Sequence, residues 1–141
     1  MNTSIQLIVD GLQSGLPALI GRFLVALALL FIGAFCYFKI TPFNERKLIA
    51  ENNVAAACVL VGTLIALAIP LTTTLATSSS LVDIIIWGLV ALIIQLATVA
   101  AVSLFLHNMR KMVLEDNVAA AVTLAGLQIA VALLNAGVMA A

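Results

Sequence analysis

Four apolar runs, each long enough to cross a bilayer as a helix, decide what this chain can fold into. They cover about Pro17–Ile40, Val54–Ala76, Leu81–Leu106, and Val118 to the last residue. A hydrocarbon core of about 30 Å takes about 20 helical residues. The first run is uncharged from Phe23 to Phe38, the second and fourth carry no charge, and the third carries only Asp83. The runs are continuous, without the two-residue alternation of barrel strands, so helices are the reading that satisfies every backbone group. Only 9% of the 141 residues are charged and 65% are hydrophobic. A water-facing surface needs about 25% charge, which excludes a soluble domain. Six Lys/Arg balance six Asp/Glu with no basic run, which excludes an electrostatic nucleic-acid binder. The expectation is an all-α membrane protein with four transmembrane helices, whose first partner is the lipid bilayer.

The loop charges predict an orientation. Lys39, Arg46 and Lys47 border the connection between spans one and two, and Arg110 and Lys111 the connection between spans three and four. Only Arg22 lies toward the other side, so both basic connections are expected in the cytoplasm and both termini outside. The 77–80 turn is short enough to make spans two and three antiparallel neighbours. Within 1–16, Ile5, Ile8, Leu12 and Leu16 fall on one helical face. This predicts an amphipathic segment on the outer interface, ended by Pro17. The first span has no basic n-region and is too long for a signal-peptide core, so it is expected to be retained. The chain then divides into an outer segment (1–16), a first hairpin (17–76) and a second hairpin (77–141).

The two hairpins carry one motif twice. Arg46-Lys47-Leu48-Ile49-Ala50-Glu51-Asn52-Asn53-Val54-Ala55-Ala56-Ala57 aligns with the segment from Arg110 to Ala121, 64 residues on, with eight of twelve positions identical. Two spans return the chain to its starting side, so both copies share one orientation. This predicts tandem repeats related by a pseudo-two-fold along the membrane normal, in a four-helix bundle. Asn53 and Asn117 are expected to N-cap spans two and four. Cys58, Gly62 and Ala66, with Gly126 and Ala130, form rows of small residues that pack helices in lipid. Thr41-Pro42 predicts an N-cap followed by Pro at the first position of a short loop helix.

Intramembrane polar groups are the candidate site. Asp83 stands near the outer end of span three and Arg22 on the same side, which predicts an ion pair, structural before functional. Gln95, Gln128 and Asn135 are placed to bond across helices or to line a polar cavity. Pro70 is expected to kink span two and free the carbonyl of Ala66, with Thr72, Thr73 and Thr74 available to compensate. Catalytic, metal and cofactor constellations are missing from the sequence. His107 has no second ligand at metal spacing, and Cys36 and Cys58 lie in apolar helix. The expectation is therefore a chain that is not an enzyme and takes no cofactor.

Thr41-Pro42-Phe43-Asn44-Glu45, the two Asn-Val-Ala-Ala-Ala segments, Ile69-Pro70-Leu71, Asp83 with Trp87 and Gln95, and Asn135-Ala136 occur in one order and spacing. In this the chain resembles the YjfL-type family of small bacterial inner-membrane proteins, from about Arg22 onward. The resemblance implies an inner-membrane location and a link to envelope or membrane stress, and it implies no catalytic residue. Two functions compete. The preferred one is a non-enzymatic assembly subunit, homo-oligomeric, that docks a protein partner through loops 41–52 and 107–116. The alternative is a small oligomeric channel or ion-coupled transporter, favoured if the intramembrane polar groups converge.

Overall fold

A computed structural model describes residues 2–41 and 44–141. Six helices follow one another: α1 (Asn2–Ile40), α2 (Glu45–Ala50), α3 (Val54–Thr77), α4 (Leu81–Phe105), α5 (His107–Leu114) and α6 (Val118–Ala140). Among the described residues, α1, α3, α4 and α6 are long and apolar enough to cross a membrane. The short α2 and α5 lie at the end that carries five of the six basic residues, here termed the basic end.

The caps explain where the spans begin. Asn53 Oδ1 accepts from the Ala56 N–H, and Asn117 Oδ1 from the Ala120 N–H. Each cap follows a residue in the left-handed region, Asn52 (φ 64°) and Asp116 (φ 60°). Short polar side chains tolerate that conformation best after glycine. The same backbone bonds close both turns: Asn53 N–H to Leu48 O and Asn117 N–H to Met112 O, each 2.9 Å.

Two expected boundaries move. Pro17 does not end a helix, because α1 runs through it for 39 residues. The ring removes only the bond to the Gln13 carbonyl. Every described residue from Asn2 to Ile20 is exposed, so that carbonyl is not trapped in a dry interface. Residues 2–16 are thus the start of the first span's helix and no separate element. The cap of α2 is Asn44, whose side chain accepts from Lys47 N–H, in place of Thr41. The Thr41 hydroxyl bonds back to Tyr37 O at 2.8 Å, and Pro42 lies outside the described residues. Pro70 is buried inside α3, which stays helical on both sides of it. The hydroxyls beyond it bond to Ile69, Pro70 and Thr73 carbonyls, none to Ala66.

The largest helix–helix interface joins α3 to α6, and α1 packs mainly on α4 and α3. A Cβ on Gly62 would stand 2.4 Å from Ala125 Cβ and 2.8 Å from Ala125 Cα, so the α3–α6 crossing needs a glycine there. The small row expected on α6 lies off the close contact: Gly126, at the rim beside α3, has open space around it, and Ala130 is exposed. The buried stripe of α6 is Ala120, Ala121, Leu124, Gln128, Ala132 and Ala136, so the close contact falls at Ala125 beside it. α4 touches both α3 and α6, whereas α1 has no comparable contact with α6. Two apolar clusters fill the interior. Val59, Val113 and Leu124 lie toward the basic end, and Leu29, Leu67, Leu71, Ile84 and Leu92 toward the other.

Candidate functional site

Between and beside these apolar clusters runs a row of buried polar side chains. It starts at the basic end with Glu45, in the first turn of α2 and 1% exposed. The Tyr37 hydroxyl, near the end of α1, donates to Glu45 Oε1. Arg110 of α5 is buried beside them, near enough for its charge to act on the carboxyl. Thr63 of α3 lies next, close to the Tyr37 phenol. Its Oγ1 stands 2.8 Å from Val59 O and 2.6 Å from Gln128 Oε1. One hydroxyl hydrogen serves one acceptor at a time. Gln95 Nε2 of α4 then donates to Gln128 O at 3.4 Å. Thr63 and Gln128 stand about 15 Å inside their helix caps, close to the middle of a bilayer core.

Not every atom of the row is satisfied. Glu45 Oε2, Gln95 Oε1 and Asn135 Nδ2 are buried without a hydrogen-bond partner among the described residues. Each such atom costs about 1–3 kcal/mol when dry. Burial pushes the Glu45 carboxyl above its ordinary range, against the opposing pull of the Tyr37 hydrogen bond and the Arg110 charge.

Of the residues singled out in the sequence, Gln95 and Gln128 do meet. Asn135 lies on the same face of α6, about 10 Å further from the basic end. Arg22 and Asp83 do not pair. Arg22 donates to the carbonyls of Ser78 (3.3 Å) and Ser79 (3.1 Å) at the end of α3. Asp83 accepts from the Ser79 hydroxyl at 3.0 Å. Both close the 78–80 turn: the free carbonyls after α3 outcompete the carboxylate for the guanidinium. Tyr37, Glu45, Thr63 and Arg110 were not among the candidates. Glu45 and Arg110 sit in polar loops that read as solvated, and Tyr37 and Thr63 lie in apolar runs. The pairing of Arg46 with Arg110 in the repeat hides a difference, since Arg46 is exposed and Arg110 is buried.

A bundle of four long apolar helices, closed by two short loop helices around a polar row, defines a class before it defines an activity. Residues 11–139 match the family model described as Domain of Unknown Function (DUF350), and the chain belongs to that family. Among its relatives is the UPF0719 inner membrane protein YjfL of Escherichia coli K12, 36% identical over 117 residues, which are 83% of this chain and 89% of that one. The protein of the same name from Escherichia coli O157:H7 matches equally. No solved structure matches the chain.

Proposed function

We propose that the chain is a small proton-coupled protein of the bacterial inner membrane, conducting or exchanging through its polar row, and not an enzyme. The inner-membrane location follows that of its Escherichia coli relatives, named as inner membrane proteins. The positive-inside asymmetry supports a cytoplasmic basic end. The observation that carries the reading is the series of unmet polar atoms at successive depths: Glu45 Oε2, Gln95 Oε1 and Asn135 Nδ2. Unpaired polar atoms in a bundle interior are a feature of hydrated paths and ion sites, which is what favours this reading. Glu45 is the group that takes up and releases the proton. Its raised pKa supports that role, and the Tyr37 and Thr63 hydroxyls continue hydrogen bonding toward mid-depth. This reading moves the coupling carboxyl from Asp83, which lies on the turn, to Glu45.

The test is proton flux into proteoliposomes under an imposed potential, followed with a trapped pH dye. Wild-type protein should carry flux. Glu45→Gln should reduce it at least tenfold while eluting as a folded species, and Gln95→Leu should reduce it as well. Absence of flux from the wild type, or flux indifferent to both changes, sinks the reading.

The assembly-subunit reading retains one supporting observation. The first half of α1 lies outside the bundle and is exposed throughout, which leaves it available to a partner or a second copy. Cysteine cross-linking from Leu12 in native membranes should capture a defined partner on that reading and only background otherwise. We infer also that the hairpins are tandem copies about a pseudo-two-fold, a reading supported by the matched caps and left-handed residues.

A further inference from the structure

On the outside of the bundle, α1 and α3 leave a groove of about 720 Å³. Its walls are apolar, from Leu30, Ala34 and Phe38 on α1 to Leu60 and Leu64 on α3, and one charged residue, Arg46, closes it at the basic end. There it runs into a second, more polar hollow of about 440 Å³, which shares Phe35, Phe38 and Arg46 and adds Lys39, Thr41, Asn44 and the acid Glu45. Two cations are fixed at this junction by aromatic rings. The Arg46 guanidinium lies 4.9 Å from the Phe38 ring centroid, and the Lys39 ammonium 5.3 Å from that of Phe35. Cation–π contacts of this kind hold a long side chain in place and leave its hydrogen-bond donors free. Both cations are exposed, and the nearest acid, Glu45, is buried and turned toward Tyr37.

The apolar slot lies at the depth of the hydrocarbon, and the cations stand at the level of the headgroups. We propose that groove and hollow together hold one anionic phospholipid, with an acyl chain along α1 and α3 and its phosphate between Arg46 and Lys39. The charge decides between occupants. A zwitterionic lipid brings its own cation to a mouth that already holds two. Basic pockets between membrane helices on one leaflet select anionic headgroups in this way. The inference does not rest on the proton-coupled reading.

The purified full chain in neutral detergent is titrated with phosphatidylglycerol, phosphatidylcholine and inorganic phosphate, with native mass spectrometry and thermal unfolding as readouts. Phosphatidylglycerol should bind at least tenfold more tightly than phosphatidylcholine and raise the unfolding temperature, and inorganic phosphate should do neither. The double variant Lys39→Gln, Arg46→Gln changes two exposed side chains and should abolish the preference. Leu64→Trp, which fills the slot, should weaken both lipids. Equal binding of the two lipids, a preference that survives the double variant, or a response to inorganic phosphate alone overturns the proposal. So does a groove covered by a second copy, seen as a Phe31→Cys cross-linked dimer that still forms in phosphatidylglycerol.

Discussion

At the scale of single residues, Glu45 sets how stability should vary with pH. Burial raises its pKa in the folded protein, so the folded state binds the proton more tightly than the unfolded one. The stability this confers is complete below the ordinary Glu range and is lost as pH rises through the raised value. Thermal unfolding of the detergent-solubilised protein should therefore fall with pH across that window, and Glu45→Gln, neutral at every pH, should flatten the curve. Gly62 makes a second prediction. Gly62→Val drives a side chain into the Ala125 backbone and should cost roughly 1–3 kcal/mol or more, as overpacking does. Gly126→Ala meets nothing within 4 Å and should be neutral or stabilising by up to about 1 kcal/mol of helix propensity. Unfolding in micelles separates the two. The sequence marks both glycines alike, because a small-residue row states that a helix can be approached and not from which side. Likewise it marks Glu45 and Arg110 as loop charges, since burial of a loop residue depends on helices distant in the chain.

At the scale of elements, the matched caps are not equivalent. Among the described residues, the Asn117 side chain caps α6, whereas Asn53 caps α3 and also donates to Val113 O (3.1 Å) and Leu114 O (3.4 Å). Asn117→Ala should cost about 1 kcal/mol, the usual value of an N-cap. Asn53→Ala should cost more, by about 1–3 kcal/mol, because it strips buried carbonyls as well. Equal losses would show that the contact across the loops contributes nothing. Both caps were legible from Asn before a run of alanines. The contact between them was not, because a repeat in sequence does not say which copy reaches over the other. The starts of α3, α4 and α6 were legible to the residue: Asn53 and Asn117 read as caps, and the apolar run of span three begins at Leu81; the Ser80 cap was not foreseen. The start of α1 was not: Pro17 reads as a stop, yet the helix runs through it, where every described neighbour is exposed and the freed Gln13 carbonyl can be met from outside the bundle.

At the scale of the whole molecule, α1 is longer than its task. Its 39 residues extend about 58 Å, against a hydrocarbon core of about 30 Å. The excess is the stretch before Gly21, in which every described residue is exposed and none belongs to the buried core. Deleting residues 2–16 should leave the unfolding temperature of the bundle unchanged within about 2 °C, a shift worth well under 1 kcal/mol in a chain of this size. The loop contact bears on time as well as strength. Asp116 Oδ1 accepts from the Ala55 N–H at 2.9 Å, so one of the first amides of α3 is satisfied only by a residue that leaves the ribosome some 60 positions later. A hairpin inserted first must keep that amide, and the free hydrogens of Asn53, in headgroup water until its sister arrives. The second hairpin is thus the latch on the first, and hydrogen exchange at Ala55 should be fast in a chain truncated after Ser80 and slow in the complete one.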